Sequence, residues 1–292
     1  MRKTTLLAAT LVGMVAFGSA VVGSVLAEPS SQSALTGKVT SQAEGAMEGV
    51  LVGAKKAGST ITTWVVSNAE GQYSFPLDRM EPGNYAVSIR ASGYELPVTS
   101  VNVTAETTEL NLRLTKVTST SKLAMQASNG ELLMSMPGTP AQKLALGACV
   151  NCHTLQRVLF SHFDADEMTS VVQRMSRHTN NSSPLHPWMR PTESPTAPPS
   201  GPSTLAKYLS SINLSARDTF DFQVKMLPRP AGKATQVIYT VYDLPRPDAS
   251  PHDEVFDAQG NVWYSDFNSQ FIGKLDPKTG KVEEYPIPQN RF

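Results

Sequence analysis

Cysteine is almost missing from this chain: two residues among 292, Cys149 and Cys152. That number excludes a disulfide-stapled scaffold and makes the spacing of the pair the informative feature. Charge is scarce as well, at 17% of residues, and Lys plus Arg equals Asp plus Glu at 25 each. No basic field exists to attract nucleic acid, so nucleic acid is excluded as a partner. Aromatics make up only 7%, whereas there are 21 prolines and 19 glycines. Such a profile suits short strands and ordered loops better than long charged helices. At roughly 100–200 residues per domain the length predicts about two domains once any targeting segment is set aside.

The N-terminus has the form of such a segment. Arg2 and Lys3 precede an uncharged, largely apolar run, and Val25-Leu26-Ala27 offers small or apolar residues for cleavage before Glu28. Residues 1–27 therefore read as an export signal, which places the body of the protein in the periplasm. Residues 4–27 are also long enough to span a bilayer, so the alternative is an N-terminal membrane anchor with the same periplasmic orientation. Gly13, Gly18 and Gly23 weaken that helix and favour cleavage.

From 34 to 117 apolar and polar residues alternate in short runs at 35–39, 50–54, 61–66, 73–75, 85–89 and 110–114. The turn formers Asn68-Ala69-Glu70-Gly71, Glu81-Pro82-Gly83-Asn84 and Ser92-Gly93 separate them. The pattern predicts an antiparallel all-β sandwich of about seven strands. The order of Leu35-Thr36-Gly37-Lys38-Val39, Asn68 to Phe75, Pro82-Gly83-Asn84-Tyr85 and Ala91-Ser92-Gly93-Tyr94 resembles the carboxypeptidase regulatory-like domain, akin to starch-binding-type sandwiches. The resemblance implies a docking or spacer module, with a glycan as a candidate partner. It implies no peptidase activity, since the segment has neither His nor Cys for a zinc site.

Beyond Leu132 the periodicity becomes helical. Thr139-Pro140-Ala141-Gln142 has the form of a capping box and predicts a helix from 140 to about 153. Asp164 to Glu167, followed by Met168, Val171, Val172 and Met175, predicts a second, and Leu205, Tyr208, Leu209 and Ile212 a third. Between the last two, seven prolines from Pro184 to Pro202 require an extended loop.

The first helix ends in Cys149-Val150-Asn151-Cys152-His153. Two thiols at this spacing can add across the two vinyl groups of a haem, and the following histidine then becomes the proximal iron ligand. Three other readings compete. A thioredoxin-like pair belongs after a strand of a βαβ unit, a structural zinc needs a fourth ligand, and a disulfide would close too small a loop to staple a fold.

The motif, a middle helix and a final helix carrying Leu205-Ala206-Lys207-Tyr208-Leu209 together resemble the cytochrome c superfamily over about 127–214. The resemblance implies an all-α cytochrome c domain with one covalently attached haem c held by Cys149 and Cys152, His153 as the proximal iron ligand, and a distal ligand that is commonly methionine. Met175, on the apolar face of the second helix, is favoured; Met189 in the proline-rich loop is the alternative, and His178 or His186 would give bis-histidine ligation. Arg157 and Arg174 are candidates for pairing with haem propionates, although surface arginines need no such role.

The last segment, 234–292, is β again, with short runs at 237–241, 252–256, 261–265, 270–275 and 281–285. Four strands in about 40 residues match one propeller blade. Asp257-Ala258-Gln259-Gly260-Asn261-Val262-Trp263-Tyr264-Ser265 and Ile272-Gly273-Lys274-Leu275-Asp276-Pro277-Lys278-Thr279-Gly280 resemble the repeat of the streptogramin B lyase family of β-propellers. The resemblance implies an incomplete propeller, its remaining blades beyond this chain and the run from 237 to 244 closing its last blade. No catalytic residue carries over, and His252 and Asp253 read as turn-capping residues.

The whole is expected to be an exported multidomain haemoprotein: sandwich, cytochrome c domain, first blade of a propeller. Its expected function is electron transfer through haem c to an unidentified redox partner protein, with no catalytic residue of its own. The alternative is a carbohydrate- or polymer-binding module on a lyase-like propeller, with haem in a sensory role.

Overall fold

Alternation of apolar and polar residues from Ser33 to Lys116 produces two facing sheets with a shared apolar interior. The computed structural model describes residues 32–151, 153–178, 201–266 and 270–288. The export segment, Cys152 and Met189 lie outside the described residues. The first sheet centres on β1 (Ser33–Ser41), which pairs with β2 (Gly45–Ala46), β5 (Gln72–Pro76), β9 (Thr108–Glu109) and β10 (Leu112–Lys116); β10 continues to β7 (Tyr94–Glu95). Facing it are β3 (Leu51–Lys56), β4 (Ile61–Val66), β6 (Gly83–Arg90) and β8 (Thr99–Val103). Leu35, Val39, Val52, Phe75 and Leu112 are fully or almost fully buried between them. Each such side chain contributes about 1.5–3 kcal/mol by leaving water.

The expected antiparallel pattern needs correction in two places. β1 runs parallel to both β9 and β10, in register at Leu35 with Thr108 and at Val39 with Leu112. The chain crosses from one sheet to the other after β8 and returns alongside β1 in the same direction, which local alternation does not encode. The second correction concerns β11 (Ile238–Tyr242), expected to close a propeller blade. It instead pairs antiparallel with β4, Tyr239 opposite Trp64, and becomes the edge strand of the second sandwich sheet. An unpaired β4 edge would leave a row of backbone donors and acceptors open, and β11 satisfies them.

Among the described residues seven α-helices follow: α1 (Thr120–Gln126), α2 (Asn129–Ser135), α3 (Pro140–Ala145), α4 (Gly147–Val150), α5 (Gln156–Leu159), α6 (Ala165–Ser176) and α7 (Thr204–Ile212). Helical structure therefore starts earlier than the periodicity suggested, and the expected helix over 140–153 is interrupted at Leu146. Capping boxes start three of them: Ser128 with Glu131, Thr139 with Gln142, and Asp164 with Glu167. Each box satisfies two backbone donors that the first turn leaves unpaired. Leu132, Leu146, Leu155, Leu159, Met168 and Ile212 form the core. Glu131 is 5% exposed and ties this core to the following chain by accepting from the Ser128 and Leu227 amides at 2.8 and 2.7 Å.

Gln126 joins helices to sandwich, donating from Nε2 to the Tyr94 carbonyl at 3.0 Å and accepting from the Gly93 amide at 2.8 Å. Farther along, Arg229 donates to the Glu48 carbonyl at 2.8 Å and pairs with Glu44, whose carboxyl it holds below its usual range.

The last sheet has four antiparallel strands in sequence order, β12 (Pro251–Phe256), β13 (Val262–Asp266), β14 (Phe271–Asp276) and β15 (Lys281–Pro286). Asp257 organises the first turn by accepting from the Gln259 and Asn261 amides and from the Trp263 indole at 2.9 Å. Side-chain hydrogen bonds from Asn261 and Trp263 hold its carboxyl well below the usual range. Gly273 lies opposite Tyr264 in register, and a Cβ there would collide with the phenol ring. Arg246 bridges Asp266 and Glu284 and lies over the Phe271 ring at 4.4 Å. β12 is exposed along its whole length, with Val255 at 63% and Phe256 at 76%.

Among the described residues no helix is long and apolar enough to cross a membrane.

Candidate functional site

Cys149 lies on α4 (Gly147–Val150), and the His153 amide donates to the Cys149 carbonyl at 3.2 Å. Immediately after His153 the chain is pinned. The Leu155 amide donates to Asn129 Oδ1 at 2.9 Å, and Gln156 Nε2 donates to the Ala127 carbonyl at 2.7 Å. His153 Nδ1 lies 3.0 Å from the Thr154 carbonyl oxygen. A carbonyl can only accept, so Nδ1 carries the hydrogen and Nε2 of the neutral ring keeps its lone pair for a metal. Outer hydrogen bonds of this kind orient ligating histidines.

A cavity of about 660 Å³ opens beside this segment. Cys149 and His153 line one part of it, Met168, Val171 and Met175 of α6 another, and Leu205 and Leu209 of α7 a third. Its volume falls within the roughly 300–1,000 Å³ of small-molecule and cofactor sites. Met168, Val171, Val172 and Met175 stand at i, i+3, i+4 and i+7, so one face of α6 reaches the cavity. Met168 is only 2% exposed, whereas Met175 is 40% exposed. Arg157, Arg174 and His178 also line it, and the lining contains no carboxylate among the described residues.

The structure thus brings Cys149, His153 and Met175, residues up to 26 positions apart in sequence, to a single cavity. Met189 and His186 fall outside the described residues. Phe163, Leu205 and Leu209 also line it. Sequence reasoning placed the two leucines on an apolar helix face without assigning them to a site; their spacing of four was the available signal.

The donor set fits a haem c. His153 through Nε2 and Met175 through its thioether would hold the iron of such a group, Cys149 would attach it, and most of the surrounding lining is apolar. A structural zinc wants four protein ligands. Among the described residues no three His, Cys, Asp or Glu side chains gather as a metal-binding group.

His252 and Asp253 do not cap a turn as expected. They lie within β12, exposed, with His252 Nδ1 3.1 Å from Asp253 Oδ2. Asp257 takes the turn-capping role because its short side chain reaches the amides two and four residues on.

Residues 34–115 match the family model of the carboxypeptidase regulatory-like domain. Sequence match and two-sheet fold agree, and the N-terminal sandwich is such a domain. No curated protein matches the chain. Among solved structures the Bacillus anthracis TIE protein is similar at 20% identity with a TM-score of 0.25, over 30% of this chain and 17% of that one.

Proposed function

We propose that the helical segment, about 127–214, is a cytochrome c domain holding one covalent haem c, and that the protein is an exported electron carrier. The observation that carries this reading is the meeting of Cys149, His153 and Met175 at one largely apolar cavity. Cys149 and Cys152 would be the attachment points, each thiol adding its sulfur to one vinyl carbon and its hydrogen to the other. His153 would bind iron through Nε2, its ring held by the Nδ1 hydrogen bond to the Thr154 carbonyl. Met175 would supply the distal thioether, a weak ligand that favours Fe(II) and raises the potential. Haem bound here supplies a reversible one-electron Fe(III)/Fe(II) couple. Val171, Leu205 and Leu209 keep water from the cavity walls, which lowers the local dielectric around that couple.

In this reading residues 251–286 are the first blade of a propeller resembling the streptogramin B lyase repeat. Residues 1–27 direct the chain to the periplasm, where a redox partner protein exchanges electrons with it. The test is a pyridine haemochrome and reduced-minus-oxidised spectrum of the whole chain, exported with haem maturation, beside Met175→Ala and Met189→Ala. The expected result is a c-type spectrum whose methionine-to-iron band disappears only in Met175→Ala. A colourless mature protein would overturn the haem reading, and loss of the band only in Met189→Ala would overturn the choice of ligand.

One observation favours a second role, glycan binding by the sandwich. A Cβ on Gly53 would stand 2.8 Å from each of three adjacent indole carbons of Trp64, so the indole lies face-on over the glycine. Its cross-strand neighbour Tyr239 is 49% exposed. Flat aromatic surfaces of this kind stack on sugar rings. Glycan-array binding that Trp64→Ala abolishes is the expected outcome, and binding that survives the substitution would overturn it.

A further inference from the structure

The second sandwich sheet ends on β11, and no strand pairs with the outer edge of β11 among the described residues. The ladder fixes which backbone groups are open there. The Asp243 amide donates to the Thr60 carbonyl at 2.8 Å, and Asp243, Val241 and Tyr239 are therefore the residues that exchange hydrogen bonds with the β4 side. In an antiparallel pair such residues alternate with residues whose groups point away, so Ile238, Thr240 and Tyr242 present their amides and carbonyls outward. Ile238, Tyr239 and Val241 are nearly half exposed, and from Gln236 to Tyr242 there is neither charge nor proline. Other open edges are guarded. β12 starts at Pro251 and carries Asp253 and Glu254, β15 carries Lys281, Glu283 and Glu284, and β8, at the far end of the β11 sheet, exposes Ser100 and Asn102. Charge and proline on an edge discourage pairing, whereas a neutral, regular and apolar edge is a template for another strand.

We propose that β11 is the seam of a homodimer, in which a second copy of this chain adds its own β11 antiparallel about a two-fold axis at Thr240. The register follows from the strand itself. With the axis there, Thr240 meets Thr240 of the second copy, Ile238 meets Tyr242, and Tyr239 meets Val241. The outward amides and carbonyls of Ile238, Thr240 and Tyr242 are then all matched, each residue giving and accepting a bond. An axis at Tyr239 or Val241 would instead bring together residues whose backbone groups β4 already uses. Across the seam every side-chain pair is aromatic with aliphatic or threonine with threonine, and both kinds stabilise cross-strand contacts. Neutrality is what lets the strand meet itself, since a charge at the axis would face its own copy. Each pairing uses up both β11 edges, so it closes as a dimer rather than growing into a fibre. The seam is short, and the dimer is expected to dissociate on dilution. Nothing in this assignment depends on the haem reading.

The experiment is sedimentation equilibrium over a range of concentrations on the exported full chain and its Thr240→Pro, Thr240→Lys and Thr240→Glu variants. Ser100→Lys, on the opposite edge strand β8, is the control. The expected result is a concentration-dependent dimer for the wild type and for Ser100→Lys. Thr240→Pro removes an amide that points away from β4, which leaves the sandwich ladder intact, and should raise the dissociation constant at least about tenfold. Thr240→Lys and Thr240→Glu each set like charges against one another at the axis and should also weaken the dimer. Mixing these two variants should restore it, because ammonium then faces carboxylate, and a misfolded variant would give no such rescue. A wild-type chain that stays monomeric at millimolar concentration would overturn the proposal. Dimers that survive all three Thr240 substitutions, or that only Ser100→Lys removes, would place the seam elsewhere and overturn it too. Failure of the mixed variants to pair would overturn the axis at Thr240.

Discussion

In the sandwich, Leu35, Phe75 and Leu112 are fully or almost fully buried between strands whose partners are fixed residue by residue. In the helical segment, Leu132, Leu155 and Leu159 are as deeply buried, yet helices of four to twelve residues surround a cavity of about 660 Å³. The contrast shows two ways of making a core. Cross-strand pairing constrains every second side chain, so the buried face follows from alternation once register is set. Short helices constrain only their own faces, and their ends must be held by caps and by residues such as Glu131.

That contrast is sharpest in the cost of truncating a buried side chain. Phe75→Ala removes a fully buried aromatic packed against Tyr73 at a 6.0 Å centroid separation. It is expected to cost about 3–5 kcal/mol in denaturant unfolding. Met168→Ala truncates a cavity wall that already lacks neighbours on one side, and the expected cost is about 2 kcal/mol. Equal costs would break the comparison, because they would mean that the cavity wall is packed as tightly as the sandwich.

Glu131→Gln tests the polar ties on which the helices depend, at about 1–2 kcal/mol near neutral pH. Burial alone would push the Glu131 carboxyl up, but the Ser128 and Leu227 amides and the Ser128 hydroxyl outweigh it and bring the value below the ordinary one. A carboxyl lowered by folding stabilises the native state above its unfolded value, about 4.3. That contribution is lost as pH falls through the lower folded value. The wild-type advantage over the variant should therefore be complete near pH 7 and fade in acid; an advantage that persists there would remove the carboxylate from the explanation.

The smallest expected effect is at a helix start. Thr139→Ala removes the hydroxyl that accepts from the Gln142 amide at 3.3 Å and should cost about 0.5–1 kcal/mol, visible as faster amide exchange in α3. No change in exchange would mean that α3 is held by packing rather than by its cap.

Much of this architecture was legible in local pattern. The runs at 61–66 and 281–285, the acidic start of α6 and the apolar face of α7 all appear where their periodicities put them. Strand β8 was missed: Thr99–Val103 carries serine and asparagine among its alternating residues and resembles a loop by composition. The early helices α1 and α2 were missed because each spans only seven residues, too short to show a full apolar stripe.

What the amino-acid order alone determined were the properties that act within a few residues: turns, caps, the period of each segment, and the motif from Cys149 to His153. What only the tertiary structure decided were the long-range pairings. The parallel return of β10 beside β1, the capture of β11 by the β4 edge about 180 residues earlier, and the arrival of Met175 and two arginines at the cavity beside His153 are of this kind. An alternating strand carries no label for its partner, and a helix face none for what it will meet; those outcomes depend on which edges and surfaces remain open once the rest of the chain has packed.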